Sequence, residues 1–443
     1  YPGRASALSS VSYRGIAPQR SVDRDLFDRI WSYAVHGRMG APTRCAVSNL
    51  GQPDWLRLAT GSDRSDHGTN SNPADASGWA MVDPKGTRPA MNALAETLRQ
   101  RIGQHGPLTL ADYMGECLLH PKHGYYTQQE AFGRSGDFIT APEISQMFGE
   151  MIGLCLGATW QAQGAPKDAI VVELGPGRGT LMQDLRRIAP AVPGFDSLPI
   201  QMIEASPRLR RLQSDALPGV IHHAEASGLP QAPIFLIANE FFDALPIRQF
   251  RRHSTGWEEI LVGCDANGLC FGKAAPQPYH FLDHRLEDTE PGMIVEYCPA
   301  LTPIVAEVSQ RIADHGGAAL IVDYGDWRSQ GDTIQAVSHH QHADPLAAPG
   351  TADLTAHLDF EALYNAAKAA GLRPTRLTTQ GVFLERLGLI QRAQTLAKSL
   401  SGAALDSHIA AHRRLTHPDE MGGLFKVMGL VAEGAAVPPG LEP

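Results

Sequence analysis

The sequence predicts an α/β fold of the Rossmann-like open type, a mostly parallel sheet with helices on both faces. Three observations carry that prediction. Short, nearly continuous apolar segments recur at Asp168–Leu174, Pro199–Glu204, Pro233–Ala238 and Ala318–Asp323, the pattern of strands buried on both faces. A helical stretch, Leu181–Ile188, separates the first two and makes a strand–helix–strand unit. Glycines follow the first segment at once, where a strand must turn sharply into a helix.

The elements follow in chain order. Residues 1–90 are poor in apolar periodicity, and the run Gly61–Asp75 is polar and turn-forming almost throughout. Such a segment buries too little surface to offset its ordering entropy, so 1–90 reads as a flexible N-terminal extension. One amphipathic piece inside it, Asp23–Val35, sets Leu26, Ile30 and Trp31 at helical spacing. Ahead of it, Arg4, Arg14 and Arg20 stand among serines with no acid, a composition that resembles a mitochondrial transit peptide. Met91 opens an amphipathic helix. Residues 91–165 read as an N-terminal helical or lid region, with Met147, Phe148, Met151, Ile152 and Leu154 on the inner face of a helix over Ser145–Trp160. Residues 166–443 read as the core with substrate-binding insertions. Phe360–Ala370 is predicted as a helix and Gly423–Val431 as a strand returning to the sheet.

Composition excludes several classes. The 443 residues suffice for two to three domains of ~150 residues. Hydrophobic residues make up 43% and charged residues 19%, a soluble globular balance. There are 38 basic and 47 acidic residues, for a net charge of -9, which argues against nucleic acid as a partner. The six cysteines are scattered without a CxxC pair, which suits a reducing compartment rather than a disulfide scaffold or zinc ribbon. The cytoplasm is the expected location, with the mitochondrial matrix as the alternative if the extension is a transit peptide. Apolar runs of about five residues fall far short of the ~18–20 that span a bilayer, so no membrane span is expected.

The motif richest in chemistry is Glu173-Leu174-Gly175-Pro176-Gly177-Arg178-Gly179-Thr180. Glycine lets the backbone turn tightly and lets a ligand approach. The helix beyond offers unpaired N–H groups. A dinucleotide site prefers GxGxxG, with pyrophosphate on the helix. Here Gly175, Gly177 and Gly179 alternate behind an acid, which resembles the pattern of S-adenosyl-L-methionine (SAM) methyltransferases. In that reading Glu173 helps position the ammonium of SAM. Glu204, ending the second strand, accepts hydrogen bonds from the ribose hydroxyls. The third strand runs into Asn239-Glu240-Phe241-Phe242-Asp243. Ligands of open α/β sheets bind at the carboxyl ends of strands, so Asn239 and Glu240 are expected to face the transferred methyl. Phe241 and Phe242 wall off water or simply pack. Glu240 and Asp243 are candidates to orient a guanidinium or amine acceptor, and Asp243 alternatively caps the next turn.

Longer strings carry a more specific resemblance. They are His120–Tyr126 (HPKHGYY), Gly136–Glu150 (GDFITAPEISQMFGE), Glu173–Arg187, Asn239–Phe250 (NEFFDALPIRQF), Asp323–Gly325 (DYG), Asp344–Phe360 and Met421–Leu430 (MGGLFKVMGL). In this order they resemble the MidA family of class I SAM-dependent methyltransferases over about residues 91–433. The resemblance implies a Rossmann-like methyltransferase core, SAM as cofactor and a protein-arginine substrate. Eukaryotic members are mitochondrial and assist assembly of respiratory complex I by symmetric dimethylation of an arginine on a core subunit, so a complex I subunit is the implied partner. It also implies that Gly136–Ser145 folds over the cofactor, with Phe138 and Thr140 as cofactor-binding candidates. The adenine contact stays open between His223 and Glu225, and the oligomeric state is open, with a dimer among the options.

Other features are set aside. Ser338–His342 holds three histidines but lacks a helical i, i+4 ligand pair, so no metal is expected. Asp353 and His357 are candidates for substrate binding. Arg208, Arg210, Arg211, Arg251, Arg252 and His253 read as exposed faces. Two rival functions remain: a non-catalytic SAM-binding assembly factor, and an NAD(P)-dependent oxidoreductase, which the glycine spacing disfavours.

Overall fold

The structure, a computed structural model, describes residues 92–128, 140–338 and 341–443. The expectations for residues 1–90 lie outside the described residues, as do Phe138 and two of the three histidines in 338–342.

The Asn92 side chain accepts from Ala95 N at 2.8 Å and starts α1 (Ala93–His105), two residues after the expected Met91. Thr109 caps α2 (Leu110–Leu119) in the same way. Both helices bury Leu94, Leu98, Tyr113 and Met114 against Ile247, Val262 and Leu354. Ser145 caps α3 (Gln146–Ala162), which is buried along nearly its whole length. The main sheet then opens with β1 (Ile170–Leu174), followed by α4 (Thr180–Ile188). β2 (Ile200–Ile203), α5 (Pro207–Ala216), β3 (Ile221–His223) and β4 (Ile234–Asn239) continue it.

A second sheet interrupts here: β5 (Arg248–His253), β6 (Gly256–Cys264), β7 (Leu269–Lys273) and β8 (Ile294–Tyr297). It is antiparallel and takes Leu108–Thr109 as its fifth strand. Sequence reading did not resolve it. Arg248, Arg251, Glu258 and Glu259 interrupt its apolar pattern, and the Arg248–Glu259 ion pair that satisfies two of them, at 2.6 Å, forms only across strands. The chain returns through α6 (Leu301–His315), β9 (Gly317–Asp326), α7 (Phe360–Ala369), β10 (Leu372–Pro374) and β11 (Phe425–Ala432).

The main sheet runs β10–β11–β9–β4–β1–β2–β3. Neighbours from β9 to β3 are parallel. β11 is antiparallel to both its neighbours, so the sheet is mostly parallel, as expected. The strand expected over Gly423–Val431 starts later, because Met421–Leu424 forms a helical turn first.

Alternation along the central strands sends side chains to two cores. Val171, Phe235, Ile237, Leu320 and Val322 meet α3 and α4, and Val172, Leu236, Ala238, Ala319 and Ile321 meet α6 and α7. Burial on both faces explains why these strands read as continuous apolar runs. On α3, a Cβ at Gly149 would lie 2.7 Å from the Asp184 Cβ. Glycine there therefore lets α3 and α4 approach closely.

Buried Glu150 on α3 ties the C-terminal helices to the core. It accepts from Arg392 Nε at 2.8 Å and from Arg187 Nε at 3.3 Å. Breaking a buried pair strands a charge. Arg392→Leu is therefore expected to lower unfolding free energy by about 3 kcal/mol in urea titration. A change below about 0.5 kcal/mol would show the pair to be dispensable.

Candidate active site

Strand order reverses between β1 and β4, which leaves a crevice at their carboxyl ends. Register sets the two ends level: Leu174 pairs with Ala238, and Asn239 with Val322. Glu173, Asn239, Glu240 and Asp323 therefore gather at one sheet edge.

The turn between β1 and α4 has Gly175, Gly177 and Gly179 at φ of 58°, 52° and 77°, the left-handed region that side chains disfavour. A Cβ on Gly175 would lie 2.7 Å from the Phe241 ring. Glycine thus serves both conformation and space. Glu240 is also left-handed, at φ 50°, and is held there by its N–H donating to Val322 O at 2.9 Å. A non-glycine residue in this region costs roughly 1–3 kcal/mol and marks functional sites.

Two compartments meet at this turn. The larger is a cavity of about 460 Å³ whose walls include Glu204, Glu225, Phe241 and Ile304. The smaller, about 30 Å³, is enclosed by Thr140, Glu143, Glu173, Arg178, Thr180 and Asn239. Gly175, Gly177 and Glu240 border both.

The small compartment holds two buried acceptors without a donor, Glu173 Oε2 and Asn239 Oδ1. An unpaired buried acceptor is costly, so the pair calls for a cation bearing N–H groups. In the large compartment, mostly apolar walls with the carboxylates of Glu204 and Glu225 among them suit a nucleoside. Glu204 is itself held: Oε1 accepts from Ser206 N at 2.7 Å, and Oε2 from Gln213 Nε2 at 3.2 Å. The residues present thus fit the ammonium and the sugar of SAM.

Thr140 and Glu143 close the small compartment from above. Ala141 N donates to Glu240 Oε1 at 2.9 Å, and Thr180 Oγ1 donates to Glu143 Oε1 at 2.5 Å. Asn239 Nδ2 also donates to Glu240 Oε1, at 3.0 Å. Oε2 of Glu240 makes no hydrogen bond among the described residues.

Burial gives the acids unusual proton affinity. Glu173 is pushed up to about 8, by burial and then by the charge of Glu204. Burial raises Glu204 as well. Glu240 is pushed up to about 7 by burial, partly offset by the Ala141 N–H. Burial pushes Asp243 to about 6, partly offset by the nearby Tyr324 hydroxyl. Asp323 is driven well above the usual carboxylate range by burial and the charges of Asp243 and Glu240.

The structure separates the sequence candidates. Glu173, Gly175, Gly177, Glu204, Asn239, Glu240 and Thr140 line the compartments, and Gly179 completes the turn beneath them. Asp243 lines neither. Its N–H and that of Phe242 donate to Asp323 Oδ2 at 3.3 and 2.9 Å, so Asp243 is built into the loop beside Glu240. Phe241 borders the cavity while Phe242 is buried in the core. Of the two adenine candidates, Glu225 lines the large compartment, whereas the His223 ring meets Gln201 Oε1 at 2.6 Å. Asp353 is buried and accepts from the Tyr126 hydroxyl at 2.8 Å, and His357 packs edge-on to Tyr324. Arg210 is not a free surface charge: its Nε donates to the Glu204 carbonyl at 2.6 Å. Among the described residues no group of three metal-ligating side chains converges, and no helix is long and apolar enough to cross a membrane.

Sequence reading missed Gln213, Tyr126, Leu118 and Ile304. Each sits in an ordinary helix or turn; only packing brings Tyr126, Leu118 and Ile304 to the large compartment and Gln213 behind Glu204.

Residues 151–378 match a family model described as "Putative S-adenosyl-L-methionine-dependent methyltransferase". A Xenopus laevis protein named protein arginine methyltransferase NDUFAF7, mitochondrial, is 34% identical over 383 residues, which cover 78% of this chain and 85% of that protein. The Homo sapiens protein of the same name is 35% identical over 384 residues, covering 78% and 86%. A Burkholderia thailandensis crystal structure bound to S-adenosyl-homocysteine superposes with a TM-score of 0.66 at 26% identity, covering 79% of this chain and 97% of that one.

Proposed function

The chain belongs to this family of S-adenosyl-L-methionine-dependent methyltransferases, and from that premise we propose that it methylates an arginine side chain of a protein partner in the mitochondrion. The observation that carries the reading is the meeting of a nucleoside-sized cavity and a cation-seeking compartment at Glu240. Relatives about a third identical, named as mitochondrial protein arginine methyltransferases, support the acceptor class. Their names also favour the mitochondrial alternative over the cytoplasmic expectation. A respiratory complex I subunit is the partner implied by the MidA resemblance.

SAM supplies an electrophilic methyl group when bound. Glu173 and Asn239 would hold its ammonium, Glu204 its ribose hydroxyls, and Glu225 lies on the adenine side. Thr140 closes the cleft and sheds water, with Phe138 as a further candidate. Glu240 accepts an N–H of the acceptor guanidinium on Oε2, orients the attacking nitrogen, and takes up the proton that methylation releases. Asp243 and Asp323 brace the loop that carries Glu240. The N-terminal helices serve as lid and the core carries the chemistry.

Intact-mass comparison of mitochondrial proteins, with and without this gene product, tests the acceptor. A protein lighter by two methylenes at one arginine in the deleted strain supports the reading. An unchanged arginine proteome, with the mass loss on another residue type, sinks it.

A further expectation concerns the ammonium contact. Glu173 binds a proton up to about pH 8 in the free protein, but must be ionised to hold an ammonium. Affinity for S-adenosyl-homocysteine should therefore rise with pH, by about tenfold between roughly pH 6.5 and 8. Glu173→Gln should bind more weakly and lose that slope in calorimetry. A variant with the wild-type slope would show that another group titrates.

A further inference from the structure

Gln213 is fully buried on α5 and lines neither compartment. Its amide nevertheless joins three elements. Nε2 donates to Gly177 O at 2.7 Å and to Glu204 Oε2 at 3.2 Å. Oε1 meets His222 Nε2 at 2.9 Å. Both amide protons are thus used on the cofactor side, and the oxygen must face a donor. This assigns the His222 Nε2 as protonated and fixes the amide's orientation.

The consequence is geometric. Gly177 belongs to the turn after β1, Glu204 follows β2, and His222 lies on β3. The glycine turn and the carboxylate that faces the sugar are separate in sequence; Gly175 N donates to Ile203 O at 3.0 Å where their strands pair, and Gln213 is the side chain that ties the turn to the carboxylate itself. Glu204 has a second tie, to Ser206 N, but that bond lies within its own loop. The Gly177 carbonyl is bound through Gln213 to that same carboxylate, so movement of one is felt by the other. Alignment to a fraction of an ångström is what such a supporting group supplies.

We infer that Gln213 is a positioning residue that locks the glycine turn and Glu204 into one rigid cradle and thereby sets the preference for a ribose over a deoxyribose cofactor. This rests on the reading of Glu204 as the ribose ligand.

The test is calorimetry on the full chain with S-adenosyl-homocysteine and its 2′-deoxy counterpart. The wild type should favour the ribose ligand by at least about tenfold, since a site built for a hydroxyl rejects its absence. Glu204→Gln and Gln213→Leu should each bring that ratio down to about threefold or less, and the double variant should lower it no further. Gln213→Glu keeps the shape but replaces both donors by acceptors, and should lose the preference too, which covers the case in which the leucine variant fails to fold. Weaker binding of both ligands by Gln213→Leu and Gln213→Glu at an unchanged ratio would overturn the inference and leave Gln213 a packing residue. An unchanged ratio in Glu204→Gln would instead overturn the ribose reading and this inference with it.

Discussion

Gly177→Val is expected to abolish measurable binding of SAM while leaving a folded protein. Gly177 sits at φ 52° and borders both compartments. A β-branched side chain in the left-handed region costs roughly 1–3 kcal/mol. Relief by rotation to negative φ would swing the carbonyl that accepts from Gln213 Nε2 at 2.7 Å. Either outcome damages the cradle: strain is carried in the bound state, or the tie to Gln213 and Glu204 breaks. Together with the space the side chain takes, the loss should exceed about 100-fold in Kd, or about 3 kcal/mol. Calorimetry and the cofactor-induced shift in melting temperature both measure it. Binding within about threefold of wild type would mean that the ligand lies elsewhere.

Glu240→Gln should leave cofactor affinity nearly intact and lower turnover by about 100- to 10,000-fold, the usual range for a lost general base. Its Oε1 contacts with Ala141 N and Asn239 Nδ2 keep one acceptor in the glutamine variant, so the segment above the site stays docked. What disappears is the carboxylate charge beside the acceptor. Burial pushes the wild-type group up to about 7 in the free protein, and the proposed mechanism uses its ionised form. Turnover should therefore fall as pH drops through about 7, and the variant should show no such limb. A bound guanidinium shifts the limb to lower pH, because it favours the carboxylate. Single-turnover rates across pH decide the matter: a variant with wild-type turnover, or the same acid limb, removes Glu240 from the chemistry. Asp243→Asn, which changes a group outside both compartments, should cost less than Glu240→Gln does.

Much of this was legible in one dimension because the signals are local. The strands at 170–174 and 234–239 announced themselves by continuous apolar runs, since helices cover both of their faces. The glycine turn announced itself because backbone φ is a single-residue property. Glu173, Glu204 and Glu240 follow, because each stands at the end of a strand, and strand ends in such sheets face the ligand.

Other features required the folded chain. Charged residues in the antiparallel sheet look like loop until Arg248 finds Glu259 across the strands. Asp243 looks like an active-site acid until Asp323 is seen capping its loop.

The sequence by itself determined the central strands of the main sheet, the turn and the acids at the strand ends, because each depends on residue type and spacing along a few neighbours. Only the tertiary structure decided which of those acids lines a compartment, that Glu225 rather than His223 reaches it, and that Gln213 joins two loops from behind. Those are distances between residues far apart in the chain, fixed by how α5, β3 and β9 pack, and no local pattern encodes them.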